Sequence, residues 1–181
     1  MRIDTPLLVV GQGPAALVVA KVAARCGLPC LLVGHDAVGD HEVVPLGADA
    51  VAALERHGAL DILRPYLDVV DPPAIASLTF EEVLKQHCVA DVNVTVYDRM
   101  TVVEREPVGA GLRGVLTDGR ARWELAADAF VDASLLPNAL PAAITSGAAA
   151  AVDAVSAAGR PAGTTPRPGR GAAGAAPASP R

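Results

Sequence analysis

The chain has 181 residues, a length suited to one domain, and 51% of them are apolar, enough for a sizeable core. Aromatic residues make up 3%, so any pocket is walled mainly by aliphatic groups and has little on which to stack a planar ring. A formal net charge of −5 argues against nucleic acid as the main partner.

The first residues, MRIDTPLLVV, have no long apolar stretch before a small-residue cleavage site, so no secretory leader is expected. Pro6–Val10 is a short apolar run, the pattern of a strand buried on both faces. Pro14–Cys26 has helical length, with Gly27 placed as its stop. Pro29–Val33 reads as a second buried strand, which completes a βαβ unit of about 30 residues. Gly47–Gly58 is predicted as a helix. Thr79 and Glu82 have the spacing of a capping box opening a short helix over FEEVLKQHC. Glu81 and Glu82 are then expected in its first turn, where acids complement the helix dipole.

Val92–Val96 alternates and reads as a strand. Thr101–Arg105, Leu112–Thr117 and Ala121–Leu125 read as three antiparallel strands, with a hairpin signal at Asp118-Gly119. Ala129–Ala133 is predicted as a further, separate strand, and Ser146–Ala158 as an Ala-rich helix. From about Gly159 the chain is Gly, Ala, Pro and Arg, with four arginines and no acid. Such a segment has little to bury. The expected organisation is one α/β domain over residues 1–158 and a disordered tail over 159–181.

No segment is expected to span a membrane, because Lys21 breaks one apolar run and Asp153 another. A cytoplasmic location is the corresponding expectation. Cys26, Cys30 and Cys88 form no C-x-x-C pair and are expected as buried, reduced thiols.

The stretch Gly11-Gln12-Gly13-Pro14-Ala15-Ala16 has the pattern G-x-G-x-x-[GA] between a predicted strand and a predicted helix. Gly11 permits the tight turn, Gly13 lets a pyrophosphate approach the backbone, and Ala16 lets the helix pack on the sheet. The free N–H groups of the helix start, aided by its dipole, suit an anion. Pro14 is well placed in a first helical turn. The acid that usually ends the second strand of such units is replaced by Gly34. Asp36, two residues on, is the candidate substitute, and His35 could contact an adenosine or lie in solvent.

Other chemistry finds less support. His35, His41, His57 and His87 lack metal-ligand spacing, and there is no G-x-S-x-G or H-E-x-x-H. Ser134 and Ser146 have no evident His and acid partners. Trp123 reads as packing.

VVGQGPAALVVAKVAARCGLPCLLV resembles the N-terminal FAD-binding unit of flavoprotein oxidoreductases, above all the aromatic-hydroxylase type of FAD-dependent monooxygenases. VPLGADAVAALERHGALDIL, EEVLKQHC…VNVTVYDRMTVVERE, GLRGVLTDGRARWELAADAFVDAS and AAITSGAAAAVDAVSAAG resemble later family segments, in order. The resemblance implies a Rossmann-like FAD-binding domain with a parallel sheet, helices and a three-stranded β-meander crossover. It implies FAD on Gly11, Gly13, Pro14, Ala15 and Ala16, with Gly34, His35 and Asp36 along the adenosine. Met100 would edge the adenine, and Ser134 and Gly147 would approach the flavin end.

The departures are the missing ribose acid, no arginine in GDHEVVP, and VDASLLPNALP where the family commonly has Asp-Gly beside the flavin. The family's substrate-binding sheet has no counterpart in this sequence. No catalytic acid, base or nucleophile is assigned. The leading expectation is a small FAD-binding oxidoreductase-like protein. The rivals are a degenerate, non-catalytic relative acting as a partner or scaffold subunit, and a subunit whose site a second protein chain completes.

Overall fold

The computed structural model describes residues 2–159. The expected tail over 159–181 therefore lies almost entirely outside the described residues. Strand β1 (Arg2–Val10) leads into helix α1 (Gly13–Arg25) and strand β2 (Cys30–Val33). β1 starts earlier than its apolar run because Arg2–Thr5 pairs in register with Glu124–Ala127. Strand β3 (Val43–Pro45), helix α2 (Ala48–Arg56), the single-turn helix α3 (Leu60–Leu63) and strand β4 (Ala74–Ala76) follow. β3 and β4 pair as a small antiparallel sheet, too short to leave a periodic signal.

Helix α4 (Ser77–Val89) opens without a side-chain cap, so the expected capping box does not form. Thr79 already lies inside the first turn. The N–H groups of Ser77 and Leu78 instead donate to the carbonyls of Glu42 (3.3 Å) and Asp40 (2.8 Å). The chain itself caps this helix.

Strands β5 (Val94–Tyr97), β6 (Thr101–Val108), β7 (Gly111–Thr117) and β8 (Arg122–Asp132) complete a six-stranded sheet in the order β5-β2-β1-β8-β7-β6. β5, β2, β1 and β8 run parallel, while β7 pairs antiparallel with both β8 and β6. The two strands expected over Ala121–Leu125 and Ala129–Ala133 are one continuous strand. Ala126 and Ala127 are held between β1 and β7, so nothing breaks the ladder where the sequence turns small and polar. At the hairpin, Asp118 Oδ1 accepts from the N–H groups of Arg120 and Ala121, both at 2.8 Å.

Helix α5 (Leu140–Ala157) closes the described fold. By length and composition it is apolar enough to cross a membrane, contrary to expectation. Its buried face, including Leu140, Ile144, Ala148 and Ala151, belongs to the core that also contains α1.

Leu7 and Val9 of β1, with Cys30 and Leu32 of β2, pack under the helices. Their alternates Leu8, Val10, Leu31 and Val33 form a second cluster with Val102, Leu112, Leu116 and Leu125 of the meander. Burial on both faces is why these strands read as unbroken apolar runs. Trp123 packs at the edge of this second cluster with Met100 and Phe130. Burial pushes the Cys30 and Cys88 thiols up to about 12, so both are inert. Cys26 is only half-buried, against expectation, and all three cysteines are free.

Candidate functional site

The C-terminal edge of the parallel strands gathers the glycine turn, the segment after β2 and the segment after β8. Gly11 (φ +142°) and Gly13 (φ +78°) both adopt backbone that L side chains rarely take. A Cβ on Gly11 would stand 2.8 Å from the Ser134 amide nitrogen and 3.1 Å from Ala133 Cβ. Its bare backbone is thus explained by close packing against the 3-10 turn Ala133–Leu135.

Gly13 meets a different neighbour. A Cβ there would lie 2.8 Å from Val38 Cγ2 and 3.7 Å from Asn138 Oδ1. The Gly13 N–H donates to the Asp36 carbonyl at 3.2 Å. Pro14, Ala15 and Ala16 are all buried. Segment 34–40 therefore lies against the turn, with the Val38 methyl beside the face that Gly13 leaves bare.

The other expected site residues fall as follows. Gly34 (φ +70°) faces the Met100 carbonyl, which a Cβ would approach to 3.3 Å, and its N–H donates to Tyr97 O at 2.9 Å. Asp36 is exposed and uses its backbone carbonyl on Gly13. His35 does not lie in solvent, because its side chain is 0% exposed. Gly147 is buried at the α1–α5 crossing, where a Cβ would stand 2.9 Å from Ala15 O. Ser134 is exposed, and its hydroxyl and N–H both donate to Asp132 Oδ1.

Four residues here were not anticipated as part of a site. Asp132 Oδ2 accepts from Arg105 at 2.9 Å. Arg105 follows Glu104, which has φ 53°, inside an irregularity of the β6–β7 ladder, so the local kink aims the guanidinium across to β8. Val38 and Asn138 flank Gly13 from two loops. Val38 and Asn138 are isolated loop residues with no periodic signal, and Arg105 and Asp132 meet only through the irregularity of the β6–β7 ladder, which the sequence does not mark.

Glu81 corrects a further expectation. It is not a solvated first-turn acid but 1% exposed, and Oε2 accepts from the Val38 N–H at 3.1 Å. Burial holds its carboxyl above the ordinary range, against the Val38 and Gly39 amides, which pull it down. His35 Nε2 lies 3.9 Å from the same oxygen. Burial, helped by Lys85, holds His35 below its ordinary value against the pull of Asp98. Each group is pushed toward its neutral form, so this approach is a packing contact more than an ion pair. His35 Nδ1 and Nε2 and Glu81 Oε1 are buried without a well-aligned hydrogen-bond partner. Such groups cost about 1–3 kcal/mol each.

No family model matches the chain, and no curated protein matches it in sequence. Its fold is similar to that of p-nitrophenol 4-monooxygenase from Pseudomonas putida DLL-E4, at a TM-score of 0.60 and 19% identity, over 73% of this chain and 42% of that one. It is also similar to the flavin-dependent monooxygenase PieE, solved with FAD and substrate (TM-score 0.57, 17% identity, 71% and 30% covered). A third likeness is the anhydrotetracycline hydroxylase OxyS from Streptomyces rimosus (TM-score 0.55, 15% identity, 72% and 31% covered). The chain spans less than half the length of each. Its fold is the Rossmann-like α/β fold found in these flavin-dependent monooxygenases, meander included.

Proposed function

We propose that the chain is a FAD-binding, oxidoreductase-like domain of the monooxygenase type that seats the cofactor's pyrophosphate at Gly11–Ala16 once residues 34–40 have moved. The observation that carries the reading is the combination of this fold with two positive-φ glycines at the β1–α1 turn. Gly11, Gly13, Pro14, Ala15 and Ala16 would hold the pyrophosphate. Gly34, Asp36 and the Met100 backbone would border the adenosine, and Ser134 the flavin end. Redox chemistry would belong to the flavin, with this chain binding and orienting it. A partner chain would complete a substrate site.

A second reading is favoured by one specific observation, the Val38 methyl over Gly13, together with Gly34 in place of the ribose acid. On that reading the domain holds no flavin and serves as a partner or scaffold subunit. The absorption spectrum of the purified chain, before and after incubation with FAD and desalting, separates the two. Retained flavin absorbance supports the first, and a colourless protein after both treatments supports the second.

A further inference from the structure

Segment 34–40 is fastened over the glycine turn from three directions. The Gly34 N–H donates to Tyr97 O at 2.9 Å, the Gly13 N–H to Asp36 O at 3.2 Å, and the Val38 N–H to Glu81 Oε2 at 3.1 Å. Asp40 O accepts from Leu78 at the start of α4. Gly39 fits closely against the same helix, since a Cβ there would stand 2.7 Å from Glu81 Oε1 and from the Leu78 nitrogen.

Little apolar burial adds to these bonds. Asp36, Ala37 and Asp40 are exposed, and Val38 is 49% exposed. The buried side of the segment carries an opposing cost. Among the described residues, His35 Nδ1 and Nε2, which belong to the segment itself, and Glu81 Oε1 on α4 are the buried side-chain atoms without a well-aligned partner. Moving the segment outward would return them to water. A segment held by few hydrogen bonds and carrying poorly aligned buried polar groups opens at small cost.

We infer that residues 34–40 form a displaceable lid that occupies the glycine turn, with Glu81 of α4 as its latch. The lid competes with a dinucleotide for Gly13, through Asp36 on its N–H and Val38 on its open face. This inference rests on the reading of the turn as a dinucleotide cradle. It adds that binding there is reduced by the fraction of molecules that are closed.

The test uses the full chain, with native-state amide exchange and FAD titration as separate readouts. Two variants loosen the lid independently. Glu81→Ala removes the acceptor for Val38, and Gly39→Ala wedges the segment away from α4. Each should raise exchange at the Val38 and Gly13 amides about tenfold or more, with Val18–Val22 inside α1 unchanged. Each should also tighten FAD binding about threefold or more. Unchanged exchange at Val38 and Gly13 in both variants would overturn the latch. Raised exchange with FAD affinity equal to the wild type's would overturn the competition. Raised exchange while neither wild type nor variants bind FAD at high-micromolar concentration would support the latch and refute the cofactor reading instead.

Discussion

At the scale of single residues, burial sets the chemistry. His35 is held neutral by the fold, so its folded pKa lies below the ordinary 6.5. Its contribution to stability is present above pH 6.5 and is lost as pH falls through the folded value. Glu81 has the opposite sense, since its folded pKa lies above 4.5. Its contribution is present below pH 4.5 and is lost as pH rises through the folded value. Chemical-denaturation stability measured from pH 4 to 8 should therefore show a loss on the acid side that His35→Gln removes, and a loss on the other side that Glu81→Gln removes. A wild-type profile unchanged by either substitution would show that neither group titrates differently on unfolding. Gly11→Ala places a methyl 2.8 Å from the Ser134 nitrogen at φ +142° and should lower stability by about 1–3 kcal/mol, read from the same denaturation curves. The glycines were legible as a motif. Which wall each one faces was not, because the Ser134 and Val38 contacts join segments far apart in sequence.

At the scale of elements, helix α1 is the axis of the fold. It is buried almost throughout, and its one lysine, Lys21, is 8% exposed and paired with Asp91 at 2.9 Å. Asp91→Ala would leave that ammonium inside without its partner, and thermal or chemical unfolding should show a loss of about 3 kcal/mol. At the α5 crossing, Gly147→Val pushes branched methyls toward Ala15 O and Val18, and the same unfolding measurement should show about 1–3 kcal/mol of destabilisation from overpacking. Most elements were legible from the sequence, because the core strands are apolar on both faces and the helices are long. The exceptions have physical reasons. The small, polar middle of β8 reads as a break, yet two neighbouring strands hold it straight. β3 and β4 are three residues each. α4 starts earlier than its sequence signal because backbone carbonyls of the preceding loop cap it in place of the side chain the sequence suggests.

At the scale of the whole molecule, the described residues form a six-stranded sheet, beside the small β3–β4 pair, with helices against one face and the meander contributing to a second cluster on the other. The fold class could be read from the order of pieces. The state of the site could not, because it depends on where a short loop comes to rest. Segment 34–40 has no periodicity, and its position follows from bonds to α1, β5 and α4 that appear only when these are assembled. On the function proposed above, the turn between β1 and α1 is a working dinucleotide cradle behind this loop. Titration of the folded chain with FAD, by calorimetry or flavin fluorescence, tests it most directly when run beside Gly13→Asp with circular dichroism as the folding control. The wild type is expected to bind saturably. A still-folded Gly13→Asp is expected to lose that binding, because its carboxylate would block and repel the pyrophosphate. Absence of saturable binding by the folded wild type at high-micromolar FAD, or equal binding by both proteins, would contradict that function.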